Sequence, residues 1–162
     1  MIITQPEGTH LAQLNVARAM DDMDSPRMAD FMRAIEGVNG LGKRSPGFVW
    51  ILEGDEGAGA TDIKPTDDPR LVVNLTVWET PEHLEQFVWN TAHKNVYAKK
   101  DKWFEPPSEP YFVMWWVPVG HEPTVDEAME RLADLRTNGP SDRAFGWAEL
   151  PSVQLWKSKR CG

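Results

Sequence analysis

The stretch Asn74–Phe104, "NLTVWETPEHLEQFVWNTAHKNVYAKKDKWF", decides how the rest of the chain is read. It opens in strand rhythm. Asn74, Thr76 and Trp78 alternate with Leu75 and Val77, and upstream "RLVV" continues the alternation. Thr80–Pro81 then signals a helix start, and Glu82 sits where a helix favours negative charge. Leu84, Phe87 and Val88 form one stripe of that helix. Trp89, His93 and Val96 or Tyr97 form another, at intervals of about four residues. A helix with two apolar sides touches two neighbours or walls a cavity. Pro106–Pro107 ends the segment.

Working outward, Leu11–Ala17 reads as a first strand, with Leu11, Gln13 and Asn15 pointing one way and Ala12, Leu14 and Val16 the other. "DSPRMADFMRAIEGVNGLGKRS" reads as a helix capped at Ser25, with Pro26 in its first turn. Met28, Phe31, Met32, Ile35, Val38 and Leu41 make its stripe, and Gly37, Gly40 and Gly42 weaken its second half. "FVWILE" is a second strand. "GDEGAGATDIKPTDDPR" is a hairpin connection with neither a phosphate-loop nor a calcium-loop pattern, and its acidic residues read as solvated. "YFVMWWVPV" is a strand apolar on both faces, hence covered on both. "TVDEAMERLADLRTNGP" is a helix with a Thr124/Glu127 capping box, stopped at Gly139–Pro140. "RAFGWAEL" is expected to be a short closing strand.

The order strand, helix, strand, strand, helix, strand is the split βαβ, ferredoxin-like arrangement, an α+β fold with an antiparallel sheet and an extra C-terminal helix and strand. With 162 residues it suits one domain, with a core over 10–148 and a tail over 149–162. Helices on one face leave the other face to be hidden. Trp115, Trp116 and their neighbours supply apolar area for a second sheet, so a homodimer is expected.

Composition narrows the partners. The net charge of −8 opposes phosphate backbones and anionic lipid, and the short basic clusters Lys99–Lys102 and Lys157–Arg160 read as solvated faces. Neither nucleic acid nor membrane is expected. One cysteine, Cys161, allows no disulfide framework and fits a reducing compartment. No start resembling a signal peptide and no apolar run of membrane length stands out, so a cytoplasmic location is expected. The four histidines lack the spacing of a zinc motif, and no GxSxG occurs. His10 and His83 read as exposed, and His121 as a turn-stabilising residue before a helix.

The passage "TVWETPEHLEQFVWNTAHK" resembles the strand–Trp–helix–His passage of the dimeric α+β-barrel superfamily, which holds antibiotic-biosynthesis monooxygenases and haem-degrading monooxygenases. "HLAQLNVA", "VNGLGKRSPGFVW", "LVVNLTVWET", "AHKNVYAKKDKWF" and "WWVPVGHEPTVDEAMERL" together resemble one bacterial and fungal family within it, over roughly residues 10–148. That family carries a fold but no settled activity. The antibiotic-type resemblance implies that Asn74 and Trp78 bind a polycyclic phenol. The haem-degrading resemblance implies Asn15, Trp78 and His93 around haem, with His93 on iron, although the Trp-to-His interval is longer here.

The residues by themselves keep functional and packing readings open. His93 is a general base, an iron ligand or a helix histidine bonded to a carbonyl. Trp78 stacks on a flat ligand or fills the core. Asn74 and Asn15 orient a ligand oxygen or pair with neighbouring groups. Trp89, Tyr97, Trp115 and Trp116 border the pocket or only pack. The leading expectation is an enzyme on a flat, apolar, phenolic or polyketide-like molecule. His93 and Asn74 would be catalytic, Trp78 and Asn15 would bind substrate, and no cofactor or metal would be needed. Haem on His93 is the alternative, and a non-catalytic binding module the third.

Overall fold

The computed structural model describes residues 1–54, 60–90 and 98–154. Strand β1 (Thr9–Arg18) leads through helix α1 (Pro26–Lys43) to β2 (Phe48–Ile51). Strand β3 (Leu71–Trp78) leads through α2 (Pro81–Asn90) and a single turn, α3 (Lys100–Trp103), to β4 (Phe112–Pro118). Helix α4 (Val125–Asn138) and a 3-10 turn (Trp147–Glu149) follow. The strands form one antiparallel sheet in the order β2-β3-β1-β4. This is the ferredoxin-like arrangement expected of an α+β chain whose strands and helices alternate in this order.

Local sequence explains the element starts. Ser25 Oγ accepts from Met28 N–H at 3.4 Å, and Pro26 occupies the first helical turn. Helix α1 runs through all three glycines to Lys43, because the missing side chain of Gly42 lets another helix close in. A Cβ there would stand 3.2 Å from Phe87 Cζ on α2. At α4, Thr124 Oγ1 accepts from Glu127 N–H at 3.1 Å. The expected capping box is only half made, since the Glu127 carboxylate turns away to Trp115 Nε1 (2.9 Å) and His121 Nε2 (2.7 Å).

Each sheet face has its own apolar layer. One face carries Ala12, Leu14, Val16, Val73, Leu75, Val77, Val113, Trp115 and Val117, packed against Ala128 and Leu132 of α4 and against Ala60. All are buried within the single chain. Within the chain, α4 and the end of the β2–β3 connection lie over this face. Part of that connection is folded down, with Ala60 and Thr61 buried; of its acidic residues Asp67 is exposed, Asp62 and Asp68 are half-buried, and Asp55 and Glu56 lie outside the described residues.

The other face meets α1 and α2. Leu11, Trp78 and Met114 cluster there with Val38, Leu84, Phe87, Phe145, Leu150 and Val153. Just past the end of β1, Ala19 joins Met28, Phe31 and Trp103. The end of β1 is held by Arg18, whose guanidinium donates to Asp68 (2.8 Å) and Glu105 (2.9 Å).

Three further expectations are corrected. "RAFGWAEL" is not a strand: only Phe145 pairs with β4, exchanging two backbone hydrogen bonds with Met114, and Gly146 then leads into the 3-10 turn. Residues 149–154 are not a tail. Leu150 and Val153 are core, Ile3 N–H donates to Glu149 O at 2.8 Å, and Gln154 N–H donates to the buried Glu85 carboxylate at 2.7 Å. His10 and His83 are half-buried; His83 lies over Gly47, where a Cβ would fall 2.1 Å from its Cγ.

Candidate functional site

Between the two apolar clusters on the helix-covered face lies a strip of amides and hydroxyls. It comes from strand alternation: Gln13 and Asn15 share a face of β1, and Asn74, Thr76 and Trp78 share that face of β3. The register sets Gln13 opposite Thr76 and Asn15 opposite Asn74. On the other side of β1, Gln13 faces Met114 and Asn15 faces Phe112.

The strip is graded in depth. Asn15 and Asn74 are half-buried, whereas Gln13 is 3% exposed, Thr76 6% and Trp78 1%. Gln13 Nε2 donates to Asn74 Oδ1 at 2.8 Å and to Thr76 Oγ1 at 2.7 Å. Trp78 Nε1 also donates to Thr76 Oγ1, at 2.9 Å. The opposite end of the amide, Gln13 Oε1, is buried without a partner. Turning this amide over by itself would set Oε1 against Asn74 Oδ1, two acceptors, so the two amides can only turn together. Leaving such a group unpaired costs about 1–3 kcal/mol. Asn74 spends its Oδ1 on Gln13, and its Nδ2 has no partner among the described residues. Asn15 makes no side-chain hydrogen bond there.

The expected site residues are placed as follows. Asn15 and Asn74 lie side by side on the strip. Trp78 sits at its deep end inside the core: Phe87 stacks on it at 5.1 Å between ring centroids, and Phe48 meets it edge-on at 5.7 Å. Trp116 shares this sheet face but packs against Phe145 at 5.2 Å. Trp115 is on the opposite face under α4, so the structure separates it from Asn74. Trp89 is buried on α2. His93 and Tyr97 lie outside the described residues. Gln13 and Thr76 were missed as site residues. Their signal was present in the alternation, as polar side chains on a strand face otherwise bound for the core.

Among the described residues no group of three or more His, Cys, Asp or Glu could hold a metal ion. No helix among them is long and apolar enough to cross a membrane. A shallow cleft of about 190 Å³ lies elsewhere, between Ile3–Gln5, the start of α2 and Leu150–Ser152.

Residues 10–161 match the profile of the family described as Domain of unknown function (DUF3291). The chain belongs to DUF3291. The match runs well past residue 148, in keeping with a core that includes Leu150 and Val153. No curated protein matches this DUF3291 chain. Among solved structures, it is similar to a Nitrosomonas europaea protein provisionally called an antibiotic biosynthesis monooxygenase. Identity is 16%, coverage is 74% of this chain and 95% of that one, and the TM-score is 0.46. PA3566 from Pseudomonas aeruginosa is 13% identical, over 70% of this chain and 97% of that one, with a TM-score of 0.46. A protein from Chloroflexus aurantiacus J-10-fl, also provisionally called an antibiotic biosynthesis monooxygenase, is 13% identical over 72% and 98%, with a TM-score of 0.42.

Proposed function

We propose that this protein is a small-molecule enzyme whose ligand, flat, apolar and phenolic or polyketide-like, enters at Asn15 and Asn74. The observation that carries this reading is the polar strip itself. Four amide or hydroxyl side chains lie on a sheet face between two apolar clusters, and unpaired groups remain at its deep and open ends. Such sites are mostly apolar with a few convergent polar groups.

The chemistry is proton abstraction by His93, with an N–H of Asn74 or Asn15 bonded to the oxyanion that develops. The enolate or phenolate then reacts with oxygen: a ring CH2 becomes C=O, and the second oxygen atom leaves as water with the two hydrogens. Isomerisation or cyclisation needs the same deprotonation without oxygen. The haem alternative requires Trp78 beside the macrocycle. Phe87 and Phe48 stand against that ring, which keeps it in the core and from a phenol as much as from haem, so the organic reading is supported by the amide strip and not by Trp78.

The test is oxygen uptake with 1,8-dihydroxyanthrone, an enolisable tricyclic phenol, beside a haemin titration. Uptake above the spontaneous rate, reduced at least tenfold in both His93→Ala and Asn74→Ala, supports the reading. A saturating Soret band lost in His93→Ala puts haem first. Uptake indifferent to both substitutions sinks the assignment of these residues.

A further inference from the structure

The unpaired atoms of the strip form a matched set. Gln13 Oε1, buried and unpartnered, is an acceptor, and Asn74 Nδ2, half-buried and unpartnered, is a donor. The two amides are bonded to one another, so they turn together. If both were reversed, Gln13 would present the donor and Asn74 the acceptor. In either arrangement the pair offers one donor and one acceptor. An oxyanion satisfies only the donor, and an ammonium only the acceptor. A neutral hydroxyl satisfies both.

We infer that Gln13 and Asn74 together form a receptor for one neutral hydroxyl of the ligand. This rests on the small-molecule reading above and sharpens its substrate class to hydroxylated aromatics bound with that hydroxyl protonated. It leaves Asn15, across the register from Asn74, as the amide for the oxyanion. Thr76 is the positioning residue. It ties Gln13 to the Trp78 indole, a group that can only donate, so the Gln13 side chain is held from its deep end. An apolar ligand lacking the hydroxyl would leave both groups unpaired, and sites of this kind discriminate strongly against such analogues.

The experiment is equilibrium dialysis of the full-length protein with 1-naphthol and with naphthalene, for wild type and Gln13→Leu, with thermal melts of each. Gln13→Met replaces Gln13→Leu if the latter does not fold. The expected result is at least a tenfold wild-type preference for naphthol, reduced fivefold or more in the folded variant while naphthalene binding persists. A preference unchanged by the substitution overturns the inference and makes Gln13 a structural residue. Binding of both probes without preference in wild type also overturns it, yet keeps the apolar pocket. Binding of neither overturns the small-molecule reading and the inference with it.

Discussion

Removing the Glu127 side chain should destabilise the protein by far more than removing its exposed partner His121. One carboxylate serves two groups of opposite standing. Oε2 accepts from the indole of Trp115, which is fully buried beneath α4, at 2.9 Å. Oε1 meets His121 at 2.7 Å, on the surface. Glu127→Ala strands the Trp115 N–H in an apolar layer, a loss of about 2–3 kcal/mol by the cost of an unmade buried hydrogen bond to a charged group. For a chain of this size that lowers Tm by roughly 4–12 °C. Glu127→Gln keeps an acceptor in place and should cost about 1 kcal/mol or less, as should His121→Ala, which loses only a surface pair. Urea unfolding and calorimetric melts supply the ordering. The Trp115 indole proton should exchange with solvent faster in Glu127→Ala alone. If Glu127→Gln were as damaging as Glu127→Ala, charge rather than indole satisfaction would carry the effect. If His121→Ala matched it, the argument from burial would be refuted.

Gly47→Ala should cost about 2–5 kcal/mol, from a φ of +81° and a Cβ 2.1 Å from His83 Cγ. The added carbon would also stand 2.4 Å from His83 Cβ, so His83→Gly, not His83→Ala, should recover the steric part when compared with His83→Gly alone, and urea melts showing no recovery would exclude the clash. The Asp68 carboxyl is held below its usual range, first by the Arg70 backbone N–H and then by Arg18. Its contribution to stability is present above the unfolded pKa near about 4 and is lost as pH falls through the lower folded value. Asp68→Asn should therefore flatten the acid limb of the stability curve, and an unchanged limb would count against it. The expected homodimer predicts a sedimentation mass near twice 18.4 kDa, and a persistent monomer at micromolar concentration would sink it.

Local periodicity sufficed for the secondary structure and its order. Alternation marked β1 and β3, short apolar runs marked β2 and β4, helical stripes and capping residues marked α1, α2 and α4, and order alone then implied the ferredoxin-like sheet. These signals are legible because each depends on residues a few positions apart. The same locality explains the failures. "RAFGWAEL" has strand composition, yet only Phe145 found a strand edge to pair with. Leu150 and Val153 look like tail residues until the fold brings α2 and the first residues of the chain beside them.

The site was half legible. Asn15 and Asn74 were marked by polarity on an apolar strand and do stand opposite one another. Sequence could not pair Gln13 with Asn74 and Thr76, residues 61 and 63 positions away, because that depends on register. Nor could it separate the adjacent tryptophans 115 and 116, since alternation says only that they face opposite ways. The sequence alone determined which side chains share a strand face. Only the tertiary structure decided which face α4 covers, which ring fills the core, and which buried amide is left with an unmade hydrogen bond. Those outcomes belong to the packing of distant segments and have no local signature.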